Sequence, residues 1–460
     1  MDRDTIAAIA TPLGTGGISI IKISGPDAVA SVVPFFRPRN PKRALTHLPS
    51  QTMVYGHIHD LGGGLVDEVL LTILRAPRSF TGEDIVEINC HGGRQVTTAI
   101  LDMLLQSGLR LADPGEFTRR AFLNGRMDLT QVEGTIDLIQ ARTRRAARLG
   151  SQIIAHGIGA EIRRLRDIVI EIRALIEAAI DFGDEIEIDL PMDSIRGRIT
   201  DQLIPAVRDL VSHYHGGRLL RDGLRVVLAG KPNVGKSSLM NQLLEQDRVI
   251  VTDVPGTTRD TIEEGIEIDG IPIIICDTAG LANSGDPIER IGQKRAQEAI
   301  GKADVILFMI DGSQPLDDSD CDLLDFLGQR HHLVLRNKID LVQDESQRTR
   351  LKKTPKQGYF DISALDGQGL EGLKKRLLSA AGVDQRAEAE ACLPNLRQKM
   401  LLTRVLSVLS EVLDQSRALE NFETLAIDLR DCERAFNQIL GDDVEPDVLD
   451  EIFNRFCIGK

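Results

Sequence analysis

Gly230, four residues, then Gly235-Lys236-Ser237 have the types and spacing of a phosphate-binding loop. Glycines let successive backbone N–H groups turn onto phosphate oxygens, and a helix starting there adds partial positive charge. Lys236 can reach the β- and γ-phosphates, and the Ser237 hydroxyl can take Mg²⁺. The flanks agree. A largely apolar run, Leu224 to Ala229, leads in as a strand, and a helical pattern, Ser238 to Leu244, leads out.

Three motifs follow at workable distances. In Gly256-Thr-Thr-Arg-Asp260, Thr258 can complete the Mg²⁺ shell and sense the γ-phosphate. In Asp277-Thr-Ala-Gly280, the carboxylate reaches the Mg²⁺ site through water and the glycine N–H meets the γ-phosphate. In Asn337-Lys-Ile-Asp340, Asp340 can accept two hydrogen bonds from guanine; adenine lacks that donor pair. A P-loop kinase or ATPase is disfavoured on that ground. Ser363-Ala-Leu365 would close the pocket over the base. The nucleotide set is therefore Gly230, Asn233, Val234, Gly235, Lys236, Ser237, Ser238, Thr252, Asp253, Val254, Pro255, Gly256, Thr257, Thr258, Asp277, Thr278, Ala279, Gly280, Asn337, Lys338, Asp340, Ser363 and Ala364. GTP and GDP are the expected ligands.

Leu281 follows Gly280 where many GTPases place a water-orienting glutamine. Asn233 with a threonine-rich switch segment resembles the potassium-activated GTPases. That resemblance implies K⁺ held by Asn233, Thr252, Val254 and Thr257, in place of an arginine finger. A loop-stabilising asparagine is the other reading of Asn233.

A chain of 460 residues predicts two to four domains. A net charge of −14 argues against non-specific coating of nucleic acid, and 3% aromatics with no Trp leaves few stacking platforms. The six cysteines show neither zinc spacing nor a disulfide framework. With no secretory or membrane-spanning pattern, a reduced cytoplasmic protein is the simplest expectation.

The elements that must carry these motifs differ along the chain. Residues 1–125 predict an α+β domain, with strands at Ile18 to Ile23 and Leu65 to Leu74, and helices at Gln95 to Gln106 and Pro114 to Asn124. The polar clusters Ser79 to Asp84 and Asn89 to Gly93 predict turns. Thr130 and Glu133 have capping-box spacing. Ile162, Leu165, Val169, Ile172, Ile176 and Ala179 fall on one helical stripe, as do Leu402, Leu406, Leu409 and Leu413. Arg142, Arg144, Arg145 and Arg148 form either a solvated face or an RNA-contacting patch. Residues 221–383 alternate strand and helix, which predicts a doubly wound α/β sheet. The flanking segments, 126–217 and 386–460, form either one α-helical bundle domain with the sheet inserted or two separate helical domains.

The chain resembles the tRNA-modification GTPase MnmE (TrmE) family over residues 3–460. The match lies in Ala10-Thr-Pro, Gly16-Gly17, Ser79-Phe-Thr-Gly-Glu-Asp84, Pro114-Gly-Glu-Phe-Thr, Arg120-Ala-Phe-Leu-Asn124, Ile288-Glu-Arg-Ile-Gly292 and Cys457-Ile-Gly-Lys460, besides the nucleotide motifs. The resemblance implies an N-terminal α+β domain that binds a tetrahydrofolate derivative (5-formyl or methylene) and dimerises. It implies a helical domain carrying an inserted Ras-like P-loop GTPase domain, and a heterotetramer of the homodimer with a flavin-containing partner, MnmG (GidA). The implied chemistry modifies carbon 5 of the wobble uridine of certain tRNAs. Implied roles are Glu289 orienting the attacking water, Cys457 acting in modification, and Lys22, Glu87, Arg126 and Lys460 binding folate. The chain departs from the family in placing Lys22 and Arg126 where relatives often have Arg and Lys, and Ala282 where they often have Arg. A competing expectation is a potassium-dependent GTP switch in ribosome assembly, which shares the nucleotide motifs but needs neither the N-terminal domain nor the Cys457 motif.

Overall fold

The structure is a computed structural model that describes residues 4–182, 191–250, 263–277, 297–328, 330–342, 359–380, 382, 393–418 and 422–460. The chain divides into two compact units. One comprises Met1–Ile136, Gly159–Ile170 and Arg430–Lys460; the other comprises Asp137–Ile158 and Glu171–Leu429.

The first unit holds seven strands: β1 (Ile6–Ile9), β2 (Ile18–Ser24), β3 (Phe36–Pro38), β4 (Thr52–His59), β5 (Leu65–Leu74), β6 (Ile85–His91) and β7 (Arg110–Leu111). They lie in the order β3-β4-β5-β6-β2-β1-β7, with every neighbouring pair antiparallel except β1 and β7. Strand alternation sends Ile21, Ile23, Leu71, Ile73, Ile88 and Cys90 into a core with α1 (Arg94–Gln106). The opposite register positions, Lys22, Thr72 and Glu87, are only half-buried. Asn89, Cys90 and His91 were expected in a turn. They are the last residues of β6, because Cys90 belongs to the buried alternation.

Helices α2 (Glu116–Leu123) and α3 (Leu129–Gln140) follow. The cap of α3 lies earlier than Thr130 and Glu133. Asp128 Oδ1 accepts from the Gln131 N–H at 3.0 Å, and Gln131 Oε1 accepts from the Asp128 N–H at 3.0 Å. That reciprocal pair is a capping box, and it leaves the Thr130 hydroxyl donating to Asp128. The Ile162 stripe lies on α5 (Ile158–Phe182), where Ile162, Leu165, Val169, Ile172 and Ile176 are fully buried and Ala179 is half-buried.

The second unit begins with α4 (Arg144–His156), whose N-cap Thr143 accepts from the Ala146 N–H and donates to Gly270 O at 2.7 Å. Arg145 donates to Asp269 O, while Arg142, Arg144 and Arg148 have no partner among the described residues. After α6 (Met192–Arg198), α7 (Ile204–Ser212) and α8 (Tyr214–Asp222) comes a second seven-stranded sheet. Its strands are β8 (Leu224–Ala229), β9 (Arg248–Ile250), β10 (Glu263–Ile268), β11 (Ile271–Asp277), β12 (Val305–Asp311), β13 (His332–Asn337) and β14 (Tyr359–Asp361), in the order β14-β13-β12-β8-β11-β10-β9. The first five are mutually parallel, and β10 and β9 are antiparallel additions at one edge.

Parallel strands covered on both faces are continuously apolar. Val226 and Leu228 of β8 pack with Leu239 and Leu243 of α9 (Lys236–Gln246), while Val227 and Ala229 pack with Phe308 and Leu327 on the other side. This is the doubly wound α/β arrangement. The helix Leu396–Ala418 packs against α7, and Arg196 of α6 donates to Ser416 O at 2.9 Å. Its buried line is Leu402, Val405, Leu409 and Val412; Leu406 and Leu413 flank it, half-buried. No described helix is long and apolar enough to cross a membrane.

Candidate functional site

The loop leaving β8 turns twice through left-handed backbone before α9 starts. Asn233 has φ 64° and Gly235, the residue capping α9, has φ 99°. A side chain at Gly235 would meet Asn337 Nδ2 at 2.2 Å, so glycine is required by space as well as by φ. Lys236 is buried, and its ammonium donates to Gly230 O at 2.7 Å and Lys231 O at 2.6 Å. Burial holds its pKa below the ordinary lysine value, with the Asp277 carboxylate opposing that shift. The Ser237 hydroxyl donates to Asp277 Oδ2 at 3.1 Å. A hydroxyl and a carboxylate at a helix start are hard oxygen donors that suit Mg²⁺. Asp277 is the last residue of β11, so the parallel register with β8 brings it beside the loop.

The base end is built from two adjacent strand ends. Asn337 Nδ2 donates to Val234 O at 2.8 Å, and Asn337 Oδ1 accepts from the Ala364 N–H at 2.9 Å. One amide thus ties the phosphate loop to the Ser363-Ala364 segment. Lys338 adopts φ 62° and pairs with Asp311 at 2.7 Å. Asp340 is exposed, with no partner among the described residues, leaving its carboxylate open to a base. Asn233 is likewise exposed, with a side-chain amide free of partners among the described residues, as a cation ligand would need to be. Ser238 is exposed in the first turn of α9. Thr252, Asp253, Val254, Pro255, Gly256, Thr257, Thr258, Thr278, Ala279, Gly280 and Glu289 lie outside the described residues.

A second cluster forms in the first unit. Lys22 and Glu87 are direct register partners across β2 and β6. Lys22 Nζ sits 5.4 Å from the ring centroids of both Phe80 and Phe117. Burial lowers the Lys22 pKa; Glu87 opposes this, and the nearby charge of Lys460 adds to the lowering. Lys460 O accepts from the Phe117 N–H at 3.2 Å. Arg126 is exposed, its stem packing within reach of Gly82 in the same loop as Phe80. That loop is held by Glu83, which accepts from Ser24 at 2.7 Å and pairs with Arg120 at 3.2 Å. A Lys22–Glu87 pair on one sheet face, beside the part-exposed Phe80 ring, offers a polar ligand a cation and a carboxylate acceptor. Cys457 is exposed three residues before Lys460.

Sequence reasoning missed the two rings beside Lys22, the part-exposed Phe80 and the fully buried Phe117, although both stand inside quoted motifs. It also missed Lys231, which pairs with Asp317 and with Asp320 at 2.9 Å and so ties the phosphate loop to the helix Asp318–Leu327. A cation next to a glycine loop carried no signal without its partners.

A phosphate loop after a central parallel strand, a metal-side carboxylate one strand over and an Asn-Lys-x-Asp turn beside it define a P-loop GTPase. Two family models match the chain: "GTP-binding protein TrmE N-terminus" over residues 5–126 and "MnmE helical domain" over residues 129–457. The chain belongs to the tRNA modification GTPase MnmE family. It is 43% identical to the MnmE of Carboxydothermus hydrogenoformans over 100% of both chains. It is 39% identical to that of Desulfotalea psychrophila over 100% of this chain and 99% of the relative. Among solved structures it is similar to the G domain of the T. maritima FeoB iron transporter, at 27% identity over 34% of this chain and 98% of that one, with a TM-score of 0.26. The protein is therefore a GTP-hydrolysing enzyme of tRNA modification.

Proposed function

We propose that the protein works with a flavin-containing partner of the MnmG (GidA) type. Together they install an aminomethyl or carboxymethylaminomethyl group at carbon 5 of the wobble uridine of certain tRNAs. The one-carbon unit comes from a tetrahydrofolate derivative held by Lys22, Glu87, Arg126 and Lys460. The observation that carries this reading is the meeting of Lys22, Glu87 and Lys460 beside Phe80 and Phe117. Glu87 would receive the amine and ring N–H of a pterin, and the cations its glutamate tail. Domains at 1–125, 126–217, 221–383 and 386–460, a homodimer built through the first, a heterotetramer with the partner and a cytoplasmic setting complete the proposal. Cys457 is assigned to the modification chemistry, as a thiolate adding to the uracil ring or to the one-carbon unit. The test is mass spectrometry of wobble uridines in cells lacking the protein. Loss of the modified nucleoside is expected, with Cys457→Ser reproducing it. Normal nucleosides in the deletion strain would favour a GTP switch in ribosome assembly instead.

Potassium is assigned to Asn233, Thr252, Val254 and Thr257, and Mg²⁺ to Ser237 and Thr258. The left-handed, exposed Asn233 supports the first assignment. A monovalent cation there would offset charge developing between the phosphates, the part an arginine finger plays elsewhere. Hydrolysis in K⁺ should exceed that in Na⁺ by at least about tenfold, and Asn233→Ala should erase the difference. Equal rates of the unaltered protein in the two salts would remove the cation.

A further inference from the structure

Arg336 is one of the largest fully buried side chains among the described residues, yet it stands at the end of an apolar strand, next to Asn337. Its Nε donates to Asp361 Oδ1 at 2.7 Å and its Nη2 to Asp361 Oδ2 at 2.6 Å. The guanidinium carbon lies 5.1 Å from the Tyr359 ring centroid. Nη1 is buried with no partner among the described residues. An ion pair with one fully buried partner is weak evidence for stability, since apolar side chains of similar volume often serve as well. What such a pair does supply is register, because a bidentate fork admits one geometry.

The position shows what that register controls. Arg336 and Asp361 are direct partners across the parallel strands β13 and β14. Asp340 lies four residues after Arg336, and Ser363-Ala364 begins two residues after Asp361. Beyond the pair the two strand ends are joined by Ile362 N–H to Arg336 O at 2.9 Å and by Asn337 to Ala364. The stem of Arg336 also packs on the turn at Gly312, where a side chain would meet its Cγ at 2.9 Å. Asp311 of that turn holds Lys338. Three segments that would surround a base therefore meet at or next to one arginine, through its guanidinium, its stem and its backbone.

We propose that Arg336, through Asp361, is a specificity-determining positioning residue for the guanine base. The pair fixes the spacing between the carboxylate of Asp340 and the backbone of Ser363-Ala364. This rests on reading Asp340 as the base contact. Inosine diphosphate lacks the exocyclic amine that Asp340 would accept, so the ratio of GDP to IDP affinity reports that spacing directly.

The experiment titrates the purified full chain with GDP, IDP and xanthosine diphosphate. Asp361→Asn and Arg336→Met should each weaken GDP by about tenfold while weakening IDP much less, so that the ratio shrinks. The loss should fall on KM for GTP rather than on kcat. Arg336→Lys should not restore the ratio, since a point charge cannot span both carboxylate oxygens. If Arg336→Met does not fold, Asp361→Asn decides, because its side chain is part-exposed. A lowered unfolding temperature with an unchanged GDP to IDP ratio in Asp361→Asn would overturn the proposal. Asp340→Asn separates the two claims. It replaces an acceptor with an amide that can donate to the second carbonyl of xanthine. Preference moving to xanthosine diphosphate supports Asp340 as the base contact; no movement places the failure there and not in the pair.

Discussion

Glu289→Ala should keep GTP affinity within about twofold and lose turnover by roughly 10²–10³-fold, the scale of one well-placed transition-state group. The family resemblance puts the water-orienting carboxylate at this position, and Leu281 occupies the place where a glutamine would otherwise do that work. GTP affinity should survive because the contacts that hold the nucleotide come from elsewhere. Lys236, Ser237 and Asp277 gather at the phosphate end, and Asn337 braces the base end. Loss confined to kcat is the signature of a group acting only in the transition state. Single-turnover hydrolysis alongside equilibrium GTP-analogue binding separates the two quantities. Turnover unchanged in Glu289→Ala would reassign the water to another residue. Glu289→Gln should retain geometry but not charge, and so fall between the two.

Lys236→Met should weaken GDP by roughly a hundredfold, the loss of about two charge-assisted hydrogen bonds. In the structure this ammonium donates to Gly230 O and Lys231 O, both carbonyls of its own loop. Those bonds hold a buried cation in place, where phosphate oxygens would meet it. Burial already depresses its pKa, and a bound polyphosphate would oppose that depression. Nucleotide binding therefore favours the protonated form. Affinity should be full below the depressed value and decline as pH climbs through it. Fluorescent-nucleotide titration checks both parts. Lys236→Met should lack this ammonium's contribution to the pH slope. An affinity within threefold of the unaltered protein would show that the loop holds phosphate by backbone alone.

The phosphate loop was legible because its chemistry prescribes residue types at fixed spacing. The strands β8, β11, β12, β13 and β14 were legible as parallel strands from their apolar runs, although β14, at the edge, is only half-buried. The antiparallel strands β9 and β10 were not, since a strand half-covered on one side mixes charge with apolar residues: Glu263, Glu264 and Glu267 stand among the six residues of β10. In the first unit β2, β5, α1 and α2 fall where the sequence predicts them, while β4 hides for the same reason as β10. In β4 one face is Val54, Gly56 and Ile58 while the other carries Tyr55, His57 and His59. The α3 cap illustrates a subtler limit: two overlapping polar pairs have capping spacing, and only the hydrogen bonds select Asp128 and Gln131. The Lys22–Glu87 pairing needed strand register, which no local pattern encodes. Arg336 did leave a sign, a lone cation in the run Leu333 to Asn337, but its partner lies 25 residues on.

Gly459 adopts φ 91°, and a side chain there would strike Ile9 O at 2.4 Å, so this glycine lies against the end of β1. That contact has a consequence for biosynthesis. Lys460, whose carbonyl accepts from Phe117, leaves the ribosome more than four hundred residues after Lys22. Because domains tend to mature from the N-terminal end during synthesis, the opening hundred residues must wait, fold provisionally, or be chaperoned until this late segment arrives. A nascent chain stalled in the second sheet would carry a formed nucleotide loop but an unfinished first unit. Closure of the first unit is therefore a late, long-range step of its folding.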